Sequence, residues 1–72
     1  MAIEVEAQVT GSVWKIETSV GARVSEEDVL LVVESMKMEI PVEAPSAGTV
    51  LEIRVAEGQP IEEGDIVVVL EG

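Results

Sequence analysis

The feature that most constrains this chain is an internal repeat. Slid against itself by 37 positions, the segment Ala7–Ser35 lies over Ala44–Gly72 without a gap, and nine of the 29 pairs are identical. The identities include Gly11 with Gly48, Val13 with Val50, Gly21 with Gly58 and Asp28 with Asp65. Other pairs keep their character, such as Val24 with Ile61, Val29 with Ile66 and Trp14 with Leu51. Turn residues and apolar positions match in one register, so two equivalent halves, 7–35 and 44–72, are expected to pack about a quasi-twofold in a single domain. Residues 36–43 between them read as an insert without a duplicate inside the chain, whose equivalents would fall beyond the two termini.

Each half reads as β structure. Leu51, Ile53 and Val55 alternate with Glu52, Arg54 and Ala56, the period of a half-buried strand, and Glu57-Gly58-Gln59-Pro60 follows as a turn. In the first half Trp14, Ile16 and Thr18 alternate with Lys15, Glu17 and Ser19. A polar turn at 62–65 precedes the apolar run Ile66–Leu70, and Glu26-Glu27-Asp28 precedes its counterpart Val29–Val33, so both runs are expected to be covered on both faces. No stretch sustains a helical stripe. The expected fold is an all-β flattened barrel or sandwich. Trp14 is the only aromatic residue and is expected to fill the core, while Gly11, Gly21, Gly48, Gly58 and Gly64 read as turn or bulge positions. Glu27 stands where the second half has Gly64.

Composition now removes several functions. Fifteen acidic residues against four basic ones give a formal charge of −11, which repels nucleic acid. There is no cysteine and no histidine, hence no disulfide, no thiol nucleophile and no imidazole base or metal ligand. The acidic turns at 26–28 and 62–65 lack the spacing of a calcium loop, so no metal is expected. The longest apolar runs are five residues, too short for a membrane-spanning helix, and Met1–Thr10 has no apolar leader. A non-catalytic cytoplasmic protein is expected, monomeric as an isolated domain.

The chemistry is concentrated between the halves, at Glu34-Ser35-Met36-Lys37-Met38-Glu39. This hexapeptide resembles the attachment motif of the biotinyl, or biotin carboxyl carrier, domains of biotin-dependent carboxylases. The likeness runs from about Val5 to Leu70 and includes Ile40-Pro41-Val42, Ala44-Pro45, Ala47-Gly48 and the closing Glu63-Gly64-Asp65 turn. It implies two packed four-stranded antiparallel sheets with Met36 and Lys37 in a tight hairpin turn. It also implies covalent biotin on the Lys37 side-chain nitrogen. Met36 and Met38, with Glu34, Ser35 and Glu39 around them, would be what a biotin protein ligase recognises.

Residue chemistry agrees with a carrier. A lysine offers an acylatable amine on a long flexible stem, and the chain has only two lysines, Lys15 and Lys37. Lys15 lies in a regular strand pattern and reads as a solvated or ion-paired side chain. Local rules alone do not place a tight turn at Met36-Lys37, because two-residue hairpins favour Asn-Gly. In an extended segment the two methionines would point opposite to Lys37 and could equally be core. The function implied by the resemblance is a carrier whose biotin is carboxylated by a biotin carboxylase and delivers the carboxyl group to a carboxyltransferase. A lipoyl carrier is the alternative, although lipoyl domains show Asp-Lys-Ala at this place, and an unmodified structural module of the same fold is another.

Overall fold

A computed structural model describes residues 1–72. It contains eight strands and no helix: β1 (Ala2–Glu6), β2 (Gly11–Ile16), β3 (Arg23–Val24), β4 (Val29–Ser35), β5 (Met38–Glu43), β6 (Gly48–Ile53), β7 (Pro60–Ile61) and β8 (Ile66–Glu71). They form two four-stranded sheets, β1-β8-β6-β3 and β5-β4-β2-β7, with every pairing antiparallel. Advancing each strand of the first sheet by four gives the second, so the repeat in the sequence is a repeat in the topology.

That correspondence narrows the insert. Strand β1 is the counterpart of β5, and at the same offset of 37 Met1 matches Met38, Ile3 matches Ile40, Val5 matches Val42 and Glu6 matches Glu43. These four identities raise the count from nine of 29 to 13 of 35 pairs. Only Met36 and Lys37 then lack a partner in the repeat, in place of residues 36–43. Their counterpart is the gap between the two chain ends. There the Met1 amino group is ion-paired with Glu71, and the Gly72 amide donates to the Met1 carbonyl at 3.0 Å.

Between the sheets lies a core built almost entirely of valine and leucine, with no buried polar side chain. Cross-strand rows supply it: Ile40, Val33 and Val13 in one sheet answer Ile3, Leu70 and Val50 in the other. Strict alternation is broken at four bulges. Between Val13 and Lys15, and again between Val50 and Glu52, two residues of one strand oppose a single residue of its neighbour. A bulge leaves neighbouring side chains on one side of the sheet. Trp14 is therefore 50% exposed and Leu51 46% exposed, against the expectation that both point inward. The converse holds where register shifts at β4 and β8 let Leu30 and Leu31, and Val67 and Val68, all sit fully buried in consecutive pairs. Strand β8 is covered on both faces as expected, but β4 is not: Val29 is exposed and Val32 half-buried.

Two of the glycines read as turns are close-approach positions instead. A Cβ on Gly11 would sit 2.3 Å from the Glu34 carbonyl oxygen, and one on Gly48 would sit 2.6 Å from that of Glu71. The acidic turns are organised by their last residue. Asp28 accepts the Ser25 amide at 2.8 Å and Asp65 accepts the Glu62 amide at 2.9 Å, satisfying donors that the tight turns leave unpaired. Within these turns Glu27 takes a φ of 74° where its counterpart Gly64 has 94°. Both amides make the same bond, Glu27 to the Ala44 carbonyl and Gly64 to that of Ala7. A left-handed conformation costs a non-glycine residue about 1–2 kcal/mol, partly offset by the entropy glycine loses on folding. Glu27→Gly is expected to stabilise the fold by about 1 kcal/mol, seen as a rise in Tm of roughly 4–8 °C in a thermal melt. An unchanged or lower Tm would contradict the account.

Candidate functional site

The hairpin of β4 and β5 carries the singled-out residues. Register is kept to its end, with Val33 opposite Ile40, Glu34 opposite Glu39 and Ser35 opposite Met38, which leaves Met36 and Lys37 as a two-residue turn. Their φ values are 53° and 65°, the left-handed pair of a type I′ turn. The tight ladder outweighs the preference of methionine and lysine for other conformations. Such residues in the left-handed region store roughly 1–2 kcal/mol each, and strain of this kind is common at functional positions.

Neighbours fix the base of the turn. The Ser35 hydroxyl donates to the Thr10 carbonyl at 2.8 Å, and the Thr10 hydroxyl oxygen accepts the Glu63 amide at 3.1 Å. Thr10 thus ties the hairpin to the start of β2 and to the 62–65 turn. It is a supporting residue the sequence gave no reason to notice, since its counterpart in the repeat is Ala47. Gly11 follows directly and lets β2 press against the Glu34 carbonyl.

Beyond this base everything is open to solvent. Met36 is 92% exposed and Met38 64% exposed, so neither is core and both are available to a protein that grips the turn. Glu34 and Glu39 are exposed as well, two like charges directly opposite each other, which weakens the local pairing. The primary amines differ in their surroundings. That of Met1 is ion-paired with Glu71 and that of Lys15 lies 3.8 Å from Glu17, while Lys37 makes no ion pair or side-chain hydrogen bond. Lys37 is the one side-chain amine held free.

Elsewhere there is little that could do chemistry. A shallow groove of about 350 Å³ runs between β1 and β5, lined in part by Glu4, Glu6, Gln8 and Glu43, with no amine in its walls. No group of three histidine, cysteine, aspartate or glutamate side chains is arranged to hold a metal ion. Arg54 lies apart from the turn, on the other sheet beside Glu52. Its guanidinium is raised above its usual value by the hydrogen bond and the charge of Glu52, with Glu4 adding to the effect.

Comparison with known proteins places this geometry. The model of the biotin/lipoyl family, described as biotin-requiring enzyme, matches residues 1–70. This chain belongs to the biotin/lipoyl family. Among curated biotin/lipoyl relatives, a protein named biotinylated protein TB7.3 homolog from Mycobacterium leprae is 46% identical over 41 residues, covering 57% of this chain and 58% of that protein. Biotinylated protein TB7.3 of Mycobacterium bovis is 42% identical over 41 residues with the same coverage. The matched stretch therefore spans little more than half the length of these relatives. Among solved structures, the urea carboxylase of Kluyveromyces lactis superposes with a TM-score of 0.94 at 34% identity, over 99% of this chain and 6% of that one. A single-chain, multi-domain long-chain acyl-CoA carboxylase matches with a TM-score of 0.89 at 31% identity, over 94% of this chain and 7% of its own. The chain is thus a biotin-requiring domain homologous to small parts of much larger carboxylases, and its two four-stranded antiparallel sheets are the architecture that the resemblance implied.

Proposed function

We propose that this domain is a non-catalytic biotin carboxyl carrier, with biotin attached through an amide to the Lys37 side-chain nitrogen. The observation that supports it most directly is the placement of the free amine: Lys37 occupies a strained two-residue turn, while the amines of Lys15 and Met1 are engaged with carboxylates. The residues fit the group. Amide formation needs a lysine nitrogen that can lose its protons and reach an activated carboxyl carbon, and a free lysine is protonated at neutral pH. The chain has no histidine or cysteine to assist, and this reading assigns the activated acyl group and the proton acceptor to a biotin protein ligase.

Met36, Met38 and the flanking Glu34, Ser35 and Glu39 are the surface by which that ligase reads the turn. Methionine is soft and unbranched, which suits a contact met by several enzymes in succession. Once bound, biotin supplies a ring nitrogen that accepts and releases a carboxyl group. The protein contributes position. Four hydrogen-bonded strands beneath the turn hold the root of the arm, and the lysine stem leaves its far end mobile, which raises the local concentration of the group at a biotin carboxylase and then at a carboxyltransferase. Acylation removes one positive charge and takes the formal charge from −11 to −12. The cytosol, where such enzymes meet ATP and bicarbonate, is the compartment this reading assigns. No helix is long and apolar enough to cross a membrane.

The lipoyl alternative is separated by one measurement. Co-expressed with a biotin protein ligase and, in parallel, with a lipoate ligase, the chain is expected to gain the mass of one biotinyl group in the first case and nothing in the second. A lipoyl adduct, or no adduct with either ligase, would overturn the proposal.

A further inference from the structure

The repeat makes the two sheets near-copies, so any difference between their outer faces is something the fold does not require. One row differs at every position but its central valine. On the outer face of β5-β4-β2-β7, Trp14 and Lys15 together oppose Val32, and Val32 opposes Pro41. The matching row of the other sheet sets Leu51 and Glu52 against Val69, and Val69 against Glu4. There the valine is buried, and Glu52 and Glu4 bracket it, with Glu52 bonded to Arg54. In the first row the acids are replaced by Lys15 and Pro41, the valine is left half-open, and the chain's only aromatic residue stands half-exposed beside it.

A tryptophan on a sheet face, next to a half-buried valine and a proline, is the composition of a contact centre, since tryptophan dominates the binding energy of many interfaces. Its surround is acidic. Glu34 and Glu39 lie one outward position nearer the Lys37 turn, Glu43 lies on the far side, and Lys15, the one cation in the row, is neutralised by Glu17. The row sits four residues along β5 from Lys37, counted from Pro41, roughly 13 Å, so a protein gripping Trp14 still has room for the lysine arm to turn into a cleft beside it.

We infer that the outer face around Trp14 is the surface by which the biotin carboxylase component holds this domain, through an apolar recess rimmed by lysine and arginine. The inference rests on the biotin-carrier reading. Charge selects the partner: an enzyme that gathers ATP and bicarbonate at one mouth presents positive potential there, complementary to an apolar patch ringed by glutamates on a domain of charge −11.

The single tryptophan makes the test specific, because a ¹⁵N-labelled chain shows one indole N–H signal. Titration with the unlabelled biotin carboxylase component of the source organism is expected to shift or broaden that signal whether or not Lys37 carries biotin, and added salt is expected to reverse the change. With fully biotinylated chain as substrate, Trp14→Ala is expected to raise KM for carboxylation about tenfold with kcat unchanged, while carboxylation of free biotin stays the same. Trp14→Leu, which copies the residue of the other half, is expected to recover part of the loss and controls for folding. Failure of the biotin adduct to form on Lys37 counts against the carrier reading alone. The docking inference falls if the indole signal stays still at saturation, if KM is unchanged in Trp14→Ala, or if only a carboxyltransferase moves the signal.

Discussion

Replacing Lys37 with arginine is expected to abolish biotin incorporation completely while leaving the thermal melt of the domain unchanged. Arginine keeps the charge and the length of the side chain, and it inherits the same backbone at a φ of 65°, so the turn has no new strain to absorb. What it lacks is an amine that can shed its proton: a guanidinium stays protonated in proteins and is a poor nucleophile toward an activated carboxyl carbon. Lys15→Arg is the paired control. Its amine already faces Glu17 on a strand, so that variant should incorporate biotin like the wild type. Intact-mass measurement on all three proteins reads the outcome directly, and an adduct surviving on Lys37→Arg would move the attachment point elsewhere.

The largest effect on the fold is expected at Gly11. Alanine there would place a methyl carbon 2.3 Å from the Glu34 carbonyl oxygen, and the obstructing atom is backbone held in the β2–β4 ladder, so no side chain can swing aside. Separating the two strands also strips contacts from Val13 and Val33, both in the core. A loss of about 3 kcal/mol is expected, the upper range for overpacking, and in a domain of this size that lowers Tm by roughly 12–24 °C. Gly48→Ala, with 2.6 Å to the Glu71 carbonyl oxygen, should cost somewhat less, because the added carbon overlaps that oxygen less closely. Equal stability of Gly11→Ala and wild type in a urea or thermal titration would show that β2 and β4 can part without penalty.

What could be read from the residues, and what could not, divides along a physical line. The valine patterns, the Asp28 and Asp65 turns and the matched glycines are properties of one segment at a time, so the all-β repeat is visible in the sequence. Bulges are properties of two strands in register. Nothing in Ser12 to Ile16 alone says that Trp14 and Lys15 must share one partner, and the aromatic residue therefore reads as core when it stands at the surface. The same holds for Glu27, whose left-handed backbone is imposed by its bond to Ala44 rather than chosen by its side chain. At the candidate site the motif singles out Lys37 and its neighbours, but local turn preference points away from a tight turn at Met36-Lys37. The β4–β5 pairing overrides that preference. Thr10 could not be found at all, because its role depends on the Ser35 hydroxyl and the Glu63 amide arriving from distant parts of the chain.

The clasp between the chain ends bears on how such a domain is carried. From Thr10, beside the Lys37 turn, the bonds of Glu63 and of Gly64 to Ala7 lead to the start of β8, which then runs six residues, about 20 Å, to Glu71 and the ends. Both termini thus leave from one pole and Lys37 stands at the other. Any polypeptide joined to either end, or to both, holds the domain by its heel like a lantern on a pole. The leash can lengthen, shorten or double without ever crowding the lamp.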